Sequence, residues 1–260
     1  MPSILGNESR FNEIPIDYDK WRPTYVPELY KDILDFKKIN QSSSVLEIGI
    51  GTGQATLPIL KTKCHLTAIE LGDKLAEYSK QKFIEYKNFQ VHNITFQDFE
   101  VLPQAFDMIY SATAFHWIPD EIGYPKVYQL LKSGGVFARF ANHPYKDKGN
   151  EALDQAIQKV YSKYMSYSPA PLEYGEEQCR EIASRMQEYG FVDVKYKLYH
   201  RTRTFNADEY IFLINTYSDH RALEEEKRNK VYNEIRDEII KYGGKITVYD
   251  TIDLQLARKP

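Results

Sequence analysis

The chain has 260 residues, enough for one large domain or a domain with insertions, and a formal charge of −3 that implies no broad basic face for nucleic acid. No stretch approaches the ~18 apolar residues of a membrane span, and the opening MPSILGNESRFNE carries no apolar run behind basic residues, so neither a membrane segment nor a targeting segment is expected. Cys64 and Cys179 stand far apart without metal-ligand spacing, which argues against a disulfide framework or a zinc site and suits a reducing cytoplasm.

Residues 11–40 are expected to contain a helix whose start carries the aromatic stretch YDKWRPTY. SVLEIG (44–49) is apolar and bounded by glycine, so it reads as a buried strand, with a helix following over about 53–62. HLTAIEL (65–71) is the next strand, and Asp73 then has the character of an N-cap for a helix to about Glu85. FQVHNI (89–94) and AFDMIYS (105–111) are the third and fourth strands, the latter preceded by Pro103. YPKVYQLLKSGG (124–135) reads as a helix closed by glycine, and VFARFA (136–141) as the fifth strand. Short strands alternating with helices argue for a parallel sheet covered on both faces.

Beyond that core, residues 150–166 place apolar or aromatic side chains at 153, 156, 157, 160, 161, 164 and 165, an amphipathic helix. Residues 207–242 read as two helices, the second strongly charged, with Glu224 and Arg228 spaced for pairing at i,i+4. FVDVKYKLYHRTR (191–203) and KITVYDTIDLQLARK read as a late antiparallel pair at the sheet edge. In the second, Ile246, Val248, Ile252, Leu254 and Leu256 share one face that Asp250 interrupts.

VLEIGIGTGQAT (45–56) carries the chemistry. Gly49, Gly51 and Gly53 alternate, whereas a dinucleotide fingerprint needs its third glycine at position 54, which is Gln54. Glycines at alternate positions let a ligand lie against bare backbone. Glu70 ends the second strand, where a carboxylate accepts hydrogen bonds from a ribose diol. Glu47 precedes the loop; a dehydrogenase loop has no need of an acid there, but a ligand with an ammonium group and a sulfonium charge gains from one. Asp98, in QDFE after the third strand, is placed to accept from an adenine amino group; its alternative is a turn or cap residue. A plain strand-to-helix turn is the alternative for GIGTG, and the register of Glu47, the glycines and Glu70 argues for a ligand.

VLEIGIGTGQAT, AIELGD, QDFE, FDMIYSATAFHWIPDE and LLKSGGVFARF resemble, in that order, the motifs of class I S-adenosylmethionine (SAM)-dependent methyltransferases. ATAFHWIPDE followed by a helix and LKSGGV is similar to trans-aconitate methyltransferase and its relatives. Tyr18, Arg22, Pro23 and Tyr25 form a Y-x-x-x-R-P-x-Y pattern similar to small-molecule methyltransferases of that group. The resemblance implies an α/β, Rossmann-like doubly wound fold: a mostly parallel seven-stranded sheet with an antiparallel edge strand, plus helical lid insertions. It implies a single methyltransferase domain over 1–260, with an N-terminal helical lid at 1–40 and a SAM-binding core at 44–141. Helical insertions at 142–175 and 205–242 would cover the acceptor site.

The resemblance also assigns roles. Gly49, Gly51 and Gly53 would lie along the methionine end of SAM, with Glu47 near its amino group and the backbone of Ala112 beside it. Glu70 would hold the ribose, Leu71 would pack on adenine, Asp98 would bond the adenine amino group, and Phe99 would flank the ring. Arg22, with Tyr18 nearby, would pair with the SAM carboxylate or stand as a surface arginine at a helix start. The Asn/Asp-Pro-Pro-Tyr-type signature of many nitrogen methylases is absent; SATAF stands in its place. The expected reaction is therefore methyl transfer from SAM to a small-molecule acceptor, a carboxylate or hydroxyl, leaving S-adenosylhomocysteine (SAH). No metal, nucleic acid, membrane or obligate protein partner is expected, and a cytoplasmic location is.

Methyl transfer from a sulfonium needs alignment and exclusion of water, with a base only where the acceptor must lose a proton. His116, with an ordinary pKa near ~6.5 and a place past the end of a strand, is the candidate base; packing beneath a lid or against the cofactor is its alternative. Asn142, His143 and Tyr145 after the fifth strand, and Tyr217, His220 and Arg221 between the late helices, are acceptor-pocket candidates or solvated loops. Competing classes are an NAD(P)-dependent oxidoreductase, opposed by Gln54 and Glu47, and a non-catalytic SAM-binding regulatory protein.

Overall fold

The computed structural model describes residues 12–165 and 172–260. Residues 1–11 of the expected N-terminal lid and residues 166–171 of the expected 142–175 insertion lie outside the described residues.

A seven-stranded sheet has the order β3-β2-β1-β4-β5-β7-β6. Its strands are β1 (Ser44–Ile48), β2 (His65–Glu70), β3 (Phe89–Asn93), β4 (Phe106–Ala112), β5 (Leu131–Tyr145), β6 (Val192–Asn206) and β7 (Lys245–Arg258). The pairs β1–β2, β1–β4, β2–β3 and β4–β5 are parallel. Gly134 N donates to Lys259 O and Lys259 N to Gly135 O, while Ala141 N donates to the Asp253 carboxylate. Partner numbers fall along β7 as they rise along β5, so β7 is antiparallel to β5. The fold is the expected Rossmann-like mostly parallel sheet with an antiparallel edge.

Chain contacts group the molecule into two compact units. The sheet unit comprises Pro23–Asn142, Gly175–Tyr199 and Ile252–Pro260. Alternation along its strands sends successive side chains to opposite faces. Val45, Met108 and Val136 pack on one face with Leu29, Tyr30 and Ile33 of α2 (Pro27–Phe36), Ile59 and Leu60 of α3 (Thr56–Leu60) and Ala76 of α4 (Asp73–Lys82). Leu46, Ile109 and Phe137 pack on the other with Tyr124 and Val127 of α5 (Asp120–Leu130) and Met186 of α7 (Glu176–Glu188). Both faces are dry, which is why β1 and β4 read as nearly continuous apolar runs. α2, within the stretch expected as a lid, is thus core-packed in the sheet unit.

Three sequence expectations are corrected. The helix expected over 124–135 is α5, which stops at Leu130. Leu131 already pairs with Phe106, the register then shifts, and pairing resumes at Met108–Val136. The two glycines serve this irregularity and do not cap a helix: Gly134 has φ +72°, and a Cβ on Gly135 would lie 2.8 Å from Lys132 O. Asp73 is the first helical residue; Gly72 is the N-cap, and the Asp73 carboxylate accepts from Lys74 N. The helix after the glycine loop is short because Gly51 and Gly53 turn the chain at positive φ before it and Lys63 does so after it.

The helical unit comprises the chain up to Arg22, His143–Tyr174 and His200–Thr251. It holds α1 (Pro15–Trp21), α6 (Glu151–Tyr164), α8 (Ala207–Ile214), the four-residue α9 (Ser218–Arg221) and α10 (Glu225–Lys241), so the expected two late helices are three. Leu153, Ile157 and Val160 of α6 meet Ile211 and Ile214 of α8 and Val231, Ile235 and Ile239 of α10. On α10 the i,i+4 ion pair is Glu226–Lys230, and Arg228 instead donates to Leu223 O. Asp250, the residue that interrupts the apolar face of β7, is buried and accepts from both Arg201 and Arg203, with the Arg203 contact at 2.5 Å. Two cations converge on one buried carboxylate, so Asp250→Asn takes away the negative charge that both face. Asp250→Asn is expected to lower stability by about 3 kcal/mol, read from urea unfolding; a change under about 0.5 kcal/mol would contradict this account.

Candidate functional site

The sheet winds from β1 through β2 to β3, then resumes at β4 on the other side of β1. Ligands of such sheets bind outside the carboxyl ends of the strands where the winding reverses. The glycine loop leaves β1 at that point. Gly49, Gly51 and Gly53 all have left-handed φ, +72°, +57° and +83°. At two of them the absent side chain also serves packing: a Cβ on Gly49 would lie 2.5 Å from Ala114 Cβ, and one on Gly53 2.4 Å from the Phe83 ring. The loop is seated on its neighbours.

Glu70 clasps that loop. Its Oε2 accepts from Gly51 N at 2.8 Å and its Oε1 from Gly72 N at 2.9 Å. Burial raises the Glu70 pKa, opposed by the backbone bonds from Gly72, Gly51 and Leu71. Leu71 follows it and is 45% exposed, an apolar surface next to the clasp. Lys82 Nζ holds the loop from the far side through Thr52 O at 2.9 Å.

Glu47 is 1% exposed. Its Oε2 accepts from Thr56 Oγ1 at 2.8 Å and from Tyr110 OH at 2.7 Å. Burial pushes its pKa up to about 8, against these two hydrogen bonds. Thr56 and Tyr110 were absent from the sequence-derived site. Tyr110 was hidden because a tyrosine in a buried strand reads as packing, and Thr56 because its partner lies across the loop.

The other candidates in the sheet unit differ in setting. Asp98 is exposed and tied to Thr95, accepting from its hydroxyl at 2.6 Å while donating its own N–H to the same oxygen at 3.0 Å, the turn arrangement. Phe99 is buried 5.8 Å from the His92 ring. Ala112 ends β4 opposite Phe140. His116 is exposed on the 3₁₀ turn Phe115–Trp117, its ring 5.0 Å from Trp117. Asn142 donates its N–H to Thr113 Oγ1 at 3.2 Å.

Within the helical unit, Tyr18, Arg22 and Tyr217 come together. The Arg22 guanidinium lies 5.0 Å from the Tyr18 ring and 4.5 Å from the Tyr217 ring, and its Nη2 donates to Thr216 O at 2.7 Å. His220 is 3% exposed among the rings of Tyr161, Tyr217 and Tyr232, and its Nδ1 has no hydrogen-bond partner. Burial lowers its pKa, so the imidazole is neutral at pH 7. Arg221 pairs with Glu13, and His143 stacks on Tyr174 at 3.6 Å. Among the described residues no three His, Cys, Asp or Glu side chains form a metal-ligating group, and no helix is long and apolar enough to cross a membrane.

A glycine-turned loop clasped by a carboxylate at the reversal of a doubly wound sheet defines a Rossmann-like ligand-binding protein. Residues 45–135 match the methyltransferase domain family. An uncharacterized methyltransferase of Bacillus mycoides is 33% identical over 158 residues, 53% of this chain and 73% of its own. An uncharacterized methyltransferase of Schizosaccharomyces pombe is 24% identical over 248 residues, 92% of this chain and 90% of its own. The chain belongs to the methyltransferase family. A solved structure of similar fold is phosphoethanolamine N-methyltransferase 2 of Haemonchus contortus, with phosphomonomethylethanolamine and SAH bound. It covers 100% of this chain and 61% of its own at 13% identity and TM-score 0.57. The same enzyme with SAM gives 0.55, at 13% identity, over 100% of this chain and 58% of its own.

The buried Glu47 sets a pH dependence. A carboxyl whose native pKa exceeds its unfolded one holds its proton more tightly when folded, so stability falls as pH rises from the unfolded value through about 8. Glu47→Gln carries no charge to bury. The melting temperature of the unliganded variant is expected to decline less than that of the unsubstituted protein between acidic pH and pH above 8; parallel declines would contradict the assignment.

Proposed function

We propose that the protein is a SAM-dependent methyltransferase acting on a small molecule, with a carboxylate or hydroxyl as the favoured acceptor. The observation that carries this reading is the convergence of Glu47, the glycine loop and Glu70 at the carboxyl ends of β1 and β2 on a methyltransferase chain. The residues present fit the donor: bare backbone in the left-handed turns, an acceptor carboxylate held at the strand end, and an exposed leucine beside it.

Bound SAM supplies an electrophilic methyl group. Glu70 holds the ribose hydroxyls, Leu71 covers the adenine, and Asp98 and Phe99 border that end. Glu47, held by Thr56 and Tyr110, faces the ammonium group, with Gly49, Gly51, Gly53 and Ala112 along the methionine chain. Arg22 and Tyr18 serve the SAM carboxylate. Asn142, His143, Tyr217, His220 and Arg221 serve acceptor recognition, and the unpartnered Nδ1 of His220 is suited to bonding a hydroxyl. The Arg221 guanidinium, and the likeness of ATAFHWIPDE to the trans-aconitate methyltransferase group, support a small carboxylate. A SAM-binding regulator is the alternative, and transfer of label from SAM into a metabolite pool separates the two.

A carboxylate acceptor attacks without losing a proton, so the exposed His116 has no required proton to take. In the labelled-SAM assay, His116→Ala is expected to keep SAM binding and turnover within roughly tenfold of the unsubstituted protein. A loss of ~10²–10⁴ in turnover with binding intact would make His116 the base and shift the acceptor to a hydroxyl.

A further inference from the structure

Thr113, the residue after β4, has φ +55°. That conformation is uncommon for any residue with a side chain and is an outlier for a β-branched one. It lies at the carboxyl end of a strand that flanks the reversal of the sheet, where the proposed cofactor site is built. Such a conformation persists only where its surroundings over-determine it.

Three bonds hold it. Thr113 N donates to Phe140 O at 2.8 Å, and Asn142 N donates to Thr113 Oγ1 at 3.2 Å. The Tyr25 hydroxyl lies 2.6 Å from the same oxygen. The first two bonds join the ends of β4 and β5, as sheet neighbours do. The third comes from far along the chain: Tyr25 lies ahead of α2, and its buried ring stands edge-on to Phe140 at 4.7 Å. Packing alone is served by a phenylalanine. The hydroxyl adds a contact that a phenylalanine lacks, to the side chain in the strained turn.

The turn has a direct consequence. It delivers Ala114 onto Gly49, where a glycine Cβ would meet Ala114 Cβ at 2.5 Å. The separation between the β4 loop and the glycine loop is therefore set by the conformation of Thr113. Both loops border the donor in the reading above.

We propose that Tyr25 is a positioning residue for the methyl donor: its hydroxyl holds Thr113 in the left-handed turn and so fixes the spacing of the Ala112–Ala114 backbone from the glycine loop. The proposal rests on the reading of this site as a SAM site. It assigns a function to the last tyrosine of the Y-x-x-x-R-P-x-Y pattern, which the cofactor contacts leave unused.

Strain makes the test specific, because glycine adopts the same turn without it. SAH affinity is measured by calorimetry, and melting temperature in parallel, for the full chain and for Tyr25→Phe, Thr113→Val, Thr113→Gly and Tyr25→Phe/Thr113→Gly. Tyr25→Phe is expected to weaken SAH about tenfold or more with little change in melting temperature. Thr113→Val keeps the branched side chain, lacks the oxygen, and should show the same loss. Thr113→Gly removes the oxygen and the strain together, so adding Tyr25→Phe to it should cause no further loss. An unchanged affinity in Tyr25→Phe, or an equal loss in both backgrounds, would overturn the positioning role. An unsubstituted protein that fails to bind SAH would overturn the cofactor reading, and the role of Tyr25 with it.

Discussion

The site depends on one carboxylate. Glu70 accepts backbone hydrogen bonds from Gly51 in the loop after β1 and from Gly72 in the loop after β2. It thereby fixes two neighbouring strand ends against each other before any ligand arrives. Charge-assisted bonds to backbone N–H are among the stronger ones, and here they act on a loop whose glycines resist being held. Ala114 and Phe83 close off the conformations that remain by packing where side chains on Gly49 and Gly53 would have been. Preorganisation of this kind spares a ligand the entropy of ordering its own binding loop.

A second layer surrounds this clasp. Glu47 is kept under the loop by Thr56 and Tyr110, at an unfavourable burial that raises its pKa. A carboxyl so placed has little to offer the fold, since Thr56 and Tyr110 could be satisfied by a neutral partner. The sheet unit and the helical unit divide the labour of the sequence differently. The first buries apolar strands on both faces, whereas the second builds its interior partly from Tyr161, Tyr210, Tyr217, Tyr232 and His220 and also holds the Arg201–Arg203–Asp250 triad.

Much of the sheet was legible because both-faced burial writes itself as short apolar runs between turns. The glycines, Glu47 and Glu70 were legible because their spacing is dictated by the path of the chain around a strand end. The helix over 124–135 was misplaced because Gly134 and Gly135 suggest a cap, and nothing local reveals that Leu131 pairs with Phe106. Asp73 was taken for a cap when the glycine before it fills that position. The bonds of Tyr110, Thr56, Thr113 and Tyr25 were not legible, since each joins parts of the chain that only the fold brings together. Turn and cap signals are local, whereas second contacts of a site are tertiary.

The central claim is that this loop holds a methyl donor and does not hold a dinucleotide. Titration calorimetry of the full chain with SAM, SAH and NAD addresses it directly. Binding of SAM and SAH without NAD, lost on Glu70→Ala, is the expected result. Binding of NAD without SAM or SAH would contradict the account.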